Sequence, residues 1–118
     1  MASLMVLLAS ACGDGDSGGG VLSIADAAKA SPGDVATVRG FIVADTGGVR
    51  LCEALAESFP PQCGGSFMIL TEFDAGAFPQ IFSESPGGDV IWTDQAQDVV
   101  GFLEAGGIIR VQGLAGFD

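Results

Sequence analysis

In 118 residues, four Lys and Arg stand against fifteen Asp and Glu, a formal net charge of -11, and histidine and tyrosine are absent. The cations Lys29, Arg39, Arg50 and Arg110 are scattered, so the basic footprint that a phosphate backbone requires is missing and nucleic acid is excluded as the expected partner. A hydrophobic content of 48% with nineteen glycines and five prolines predicts one domain of short strands and tight turns rather than a helical bundle.

The chain opens on the apolar run Leu4-Met5-Val6-Leu7-Leu8-Ala9. It is too short to cross a bilayer, which takes roughly 20 residues, and it suits the apolar region of a signal peptide. The next residues, Ala9-Ser10-Ala11-Cys12, resemble the lipobox of bacterial lipoproteins, where small residues precede a cysteine that is acylated and becomes the new N-terminus. The resemblance implies a signal peptide over residues 1–11, lipidation at Cys12, and anchoring to a bacterial membrane outside the cytoplasm. Gly13 to Gly20 has the composition of a flexible tether, leaving residues 21–118 as a single domain. Ala9-Ser10-Ala11 also fits the A-x-A pattern of ordinary signal peptidase, so a soluble secreted protein with a free Cys12 stays open.

Two motifs in the tether lead nowhere. Gly15-Asp16-Ser17-Gly18-Gly19 matches the surroundings of the nucleophile in chymotrypsin-like proteases, but the chain has no histidine to accept the serine proton. Asp14-x-Asp16-x-Gly18 matches the start of a calcium loop, yet its twelfth position, which should be acidic, is Ala25. Without histidine and with three cysteines, zinc and the common transition metals are not expected, and no cofactor is implied.

In the mature part, Leu22 to Ala30 reads as a short helix with Ser23 as N-cap, ended by Ser31-Pro32-Gly33. Asp34 to Ala44 is rich in β-branched residues and predicts a long strand, with Gly40 marking a bulge or bend. Asp45-Thr46-Gly47-Gly48 turns it into a second strand through Leu55. Phe67 to Thr71 is a short apolar strand, Asp74 to Phe82 contains a helical turn, and Trp92 opens the approach to a last hairpin. That hairpin runs from Val99 to Glu104, turns at Ala105-Gly106-Gly107, and returns over Ile108 to Gln112. Gly40-Phe41-Ile42 before the first turn is echoed by Gly101-Phe102-Leu103 before the last, which we read as one turn chemistry used twice. The order over Asp34 to Leu114 resembles an OB-fold, a small five-stranded Greek-key barrel, here with a short N-terminal helix; a small β-sandwich is the alternative. The stretch Arg50 to Gly65 also resembles a segment of small actinobacterial lipoproteins, which implies an exported, disulfide-bonded domain and carries no activity with it.

Cys52 and Cys63 flank Pro60-Pro61 and are expected to form a structural disulfide, because export favours oxidation and the spacing is unlike C-x-x-C redox pairs. Glu53 and Glu57, spaced i and i+4, would share a helix face as a carboxylate pair of the kind glycosidases use; the simpler expectation is solvated surface. Phe67, Phe73, Phe78 and Phe82 are expected in the core. Trp92, beside Thr93-Asp94, is expected at a rim where it could meet a ligand or partner. Arg39, Arg50 and Arg110 could converge to grip a carboxylate or phosphate, although screening of the acidic surface is the favoured role. The resulting expectation is a membrane-tethered, non-enzymatic OB-like module that binds an envelope protein or small ligand. The alternatives are a small secreted hydrolase using the carboxylate pair and a structural subunit of an envelope complex.

Overall fold

Ser23 caps the helix as expected: its hydroxyl accepts a hydrogen bond from Asp26 N at 3.1 Å, satisfying one of the donors that a first turn leaves open. In the computed structural model, which describes residues 20–116, this helix is α1, Ile24–Lys29. The expected signal peptide over residues 1–11, the expected lipidation site Cys12 and nearly all of the expected tether lie outside the described residues. Val21–Leu22 is not helical but forms a two-residue strand, β1, parallel to the next strand at Thr37 and Val38.

That strand, β2, spans Val35–Asp45 and is followed by β3, Gly48–Leu55. β4 covers Cys63–Thr71, β5 Phe82–Glu84, β6 Ile91–Thr93, β7 Gln97–Glu104 and β8 Ile108–Leu114. Between β4 and β5 lie two single 3₁₀ turns, Ala75–Ala77 and Pro79–Ile81. Asp74 caps the first by accepting from Gly76 N at 2.9 Å. The fold is mainly β, and the eight strands among the described residues join one mixed sheet rather than the five expected. The additional three are short: β1 runs beside the first half of β2, and the hairpin of β5 and β6 attaches to its second half.

The sheet order is β3-β4-β8-β7-β2-β6-β5, and β2 also pairs with β3. Neighbours are antiparallel except β4 with β8 and β1 with β2. β2 owes its length to serving different partners along its run. Val35 to Gly40 face Phe102 to Gln97 of β7, whereas Phe41 to Asp45 face Cys52 to Gly48 of β3. Gly40 stands at that exchange. A Cβ there would lie 2.8 Å from Cys52 O and 2.9 Å from Leu51 Cγ, so the crossing has no room for a side chain.

Gly101 repeats this device, with a Cβ meeting Arg110 O at 2.5 Å and Ile109 Cγ2 at 2.7 Å beside a register shift between Val100 and Gly101. The two Gly-Phe segments therefore share a packing role, each glycine set against a carbonyl and an aliphatic side chain of the returning strand. Their turns differ: Asp45 pairs with Gly48 across two residues, while Glu104 pairs with Ile108 across three, with Gly106 and Gly107 at φ 89° and 77°.

The main core joins Val38, Ile42, Leu51, Met68, Leu70, Val99, Leu103, Ile109, Val111 and Leu114 with Ile24 and Ala27 of α1. Phe73, Phe78 and Phe82 pack against it, with Phe73 stacked on Phe78 at 5.8 Å between centroids. A polar group is placed fully inside: Thr93 accepts from Ile42 N at 3.0 Å through Oγ1. Ile42 lies between the last pair of β2 with β7 and the first with β6, so the Thr93 hydroxyl supplies an acceptor where the ladder changes strand. No helix among the described residues is long and apolar enough to cross a membrane.

Candidate functional site

Strand alternation divides β3 and β4 into two faces. Leu51, Met68 and Leu70 point into the core, while Arg50, Phe67 and Ile69 occupy the outer side. Two cross-strand rows result, Val43-Arg50-Ile69 and Phe41-Cys52-Phe67. Phe67 is 49% exposed and Ile69 38%, so the expected core role of Phe67 is not observed. Phe67-Met68-Ile69-Leu70 is apolar throughout, and its letters conceal which alternate residues face solvent.

A second apolar cluster, Val43, Cys52 and Trp92, lies beside this face. Cys52 and Cys63 are joined by a disulfide with Cα atoms 5.3 Å apart, tying the interior of β3 to the first residue of β4. The loop between them is held by Ala56 N donating to Gln62 O at 2.8 Å and by the Ser58 hydroxyl donating to Pro60 O at 3.0 Å. Its Phe59-Pro60 bond is cis. Phe59, 72% exposed, meets Trp92 edge-on with centroids 5.9 Å apart.

These elements enclose a groove of about 370 Å³. Val43, Asp45 and Arg50 form one wall, Pro60, Pro61 and Gln62 another, and Phe67 closes it from β4. A second hollow of about 230 Å³ shares Asp45, Arg50 and Phe67 and continues to Ile69. Arg50 stands between the two with its Nη2 donating to Asp45 Oδ2 at 2.6 Å. Glu53 borders the groove at Gly65, and its Oε1 accepts from Ser66 N at 2.9 Å. Asp89 shares a further hollow with Asp45.

Several expected site residues take different positions. Trp92 is 5% exposed, not at a rim, because Phe59 covers it and Asp94 Oδ1 accepts from its indole N–H at 2.9 Å. Asp94 also accepts from the Ser83 hydroxyl at 2.7 Å. Those bonds, Ser83 first and Trp92 second, hold its carboxyl below the usual carboxylate range. Glu53 and Glu57 share no helix face, since Glu53 belongs to β3 and Glu57 to the loop after it. The arginines are matched to separate acids: Arg39 to Asp98 at 2.7 Å, Arg50 to Asp45, and Arg110 to Glu104 at 3.1 Å, with Arg110 also over the Phe102 ring. Arg50 alone of the three lines the groove. Asp45, Pro60, Pro61, Gln62 and Ile69 carry no signal as site residues in the sequence, because their convergence depends on the β2–β3 turn and the disulfide.

Among the described residues, no group of three or more Cys, Asp or Glu is placed to hold a metal ion. Comparisons with protein-family models, with curated proteins and with solved structures find no match.

Proposed function

We propose that this chain is an extracytoplasmic lipoprotein, tethered through Cys12, whose domain is a non-enzymatic OB-like binding module. The observation that carries the binding role is the groove on the outer face of β3 and β4, with Phe67 and Ile69 exposed around the Arg50–Asp45 pair. Sites for ligands are typically concave and largely apolar with a few placed polar groups, in the range of roughly 300–1,000 Å³. The first hollow has that size, and its lining mixes the apolar Val43, Phe67 and Val90 with the polar Asp45, Arg50 and Gln62.

The barrel reading is supported by the pairing of the five long strands in the cycle β2-β3-β4-β8-β7 and back to β2. OB modules bind ligands on the face of their second and third strands, which correspond to β3 and β4 here. The Cys52–Cys63 bridge is compatible with an oxidising compartment outside the cytoplasm. The lipobox-like Ala9-Ser10-Ala11-Cys12 supports the anchor.

The test is an amide-shift NMR titration of the full chain with indole as an aromatic probe. Shifts centred on Arg50, Gln62, Gly65, Phe67 and Val90, lost in Phe67→Ser, are expected. Shifts confined to other surfaces would overturn the binding role, as would the absence of shifts with millimolar indole and with every peptide probe.

A further inference from the structure

The groove carries information about its occupant as well as its existence. Among the described residues, five large hydrophobic side chains are markedly exposed: Val21, Val35, Phe59, Phe67 and Ile69. Three of them gather at this one face. Phe67 lines both hollows, Ile69 the second, and Phe59 precedes the Pro60-Pro61 wall. An apolar cluster rimmed by polar groups marks a surface for association. Pro60 and Pro61 are held at their C-terminal end by the disulfide at Cys63, so this wall needs little ordering when a partner arrives.

The charge around the groove selects the partner's sign. Arg50 is the sole Lys or Arg lining either hollow, and Asp45 neutralises it at 2.6 Å. Glu53 and Asp89 line neither hollow, but Glu53 lies against Gly65 of the groove wall and Asp89 shares a further hollow with Asp45, which adds carboxylates near the groove within a chain of net charge -11. An anionic ligand would meet this potential unfavourably, and a cationic one would be drawn to it. The two hollows share Asp45, Arg50 and Phe67 and so lie side by side at the Arg50–Asp45 pair, where neighbouring side chains of one segment could each take one.

We propose that the outer face of β3 and β4 docks an extended polypeptide segment with aliphatic or aromatic anchors flanked by Lys or Arg. The anchors enter the hollows beside Phe67, and the flanking cations meet Glu53 and Asp89. This rests on the reading of the groove as a binding site and names its partner class.

The test uses the full chain with its disulfide intact and two short synthetic peptides carrying the same Leu and Phe anchors. One is flanked by lysines and the other by glutamates, and free indole is titrated in parallel. The lysine peptide is expected to shift the amides of Arg50, Gln62, Gly65, Phe67 and Ile69, with affinity falling as salt is added. Phe67→Ser should weaken it by about tenfold, as loss of a central anchor does. Glu53→Gln with Asp89→Asn leaves every apolar wall in place, and should weaken the peptide and flatten its salt dependence. Equal binding of the glutamate peptide overturns the proposal, as does absence of groove shifts with either peptide. Indole binding in the groove without either peptide would overturn the peptide partner while keeping the binding role. Silence from all three probes would overturn both.

Discussion

Replacing Thr93 by valine tests the internal logic of the sheet. The hydroxyl of this fully buried residue accepts from Ile42 N at 3.0 Å, where β2 has left β7 and not yet joined β6. Valine keeps the shape, so no cavity opens, but it leaves a buried N–H without an acceptor. Such a loss costs about 1–3 kcal/mol, and each kcal/mol lowers Tm by roughly 4–8 °C in a domain of this size.

Urea unfolding followed by Trp92 fluorescence reads the change directly, since the chain has one tryptophan. The midpoint should fall with an unaltered slope. Hydrogen exchange separates the hydrogen bond from simple repacking: the Ile42 amide should lose protection in Thr93→Val and keep it in Thr93→Ser. Wild-type stability together with a protected Ile42 amide in the valine variant would refute the reasoning.

Other expectations follow from the same geometry. Gly40→Ala forces a Cβ to within 2.8 Å of Cys52 O and should cost about 1–3 kcal/mol by thermal unfolding, whereas Gly113→Ala, with open space around it, should be close to neutral. Reducing the Cys52–Cys63 bridge, whose cysteines are 11 positions apart, should lower stability by roughly 2–3 kcal/mol in the chain-entropy model. It should also shift Trp92 emission to the red as the Phe59 loop loosens. Because the folded-state pKa of Asp94 is depressed, its contribution is fully present above the unfolded value near 3.9 and is lost as pH falls through the lower folded value. Carboxyl NMR titration should place Asp94 below that unfolded value, and Ser83→Ala should raise it; a titration unmoved by Ser83→Ala would contradict the assigned cause.

What the sequence disclosed was local. Ser23 announces a cap and Asp45 to Gly48 and Ala105 to Gly107 announce turns, because each signal lies within a few residues of its effect; Gly40 reads as a bulge or bend, and the structure makes it the point where β2 changes partner. β5 and β6 were hidden because strands of three residues have no periodicity to read, and each exists only through pairing, β6 with β2 and β5 with β6. Trp92 beside Thr93-Asp94 reads as a rim residue until the distant Phe59 is folded over it. The spacing of Glu53 and Glu57 suggests a helix face only if the segment is helical, and pairing of β3 with both β2 and β4 decides otherwise. The groove was illegible for the same reason: its walls come from segments that the disulfide and the sheet bring together.

The tethered, oxidised module is tested most directly by the intact mass of the full-length gene product expressed in a bacterial host that processes lipoproteins. The account predicts a chain beginning at Cys12, carrying a diacylglyceryl adduct, with a two-proton deficit from the Cys52–Cys63 bridge. A chain that retains residues 1–11 and has three free thiols would contradict it.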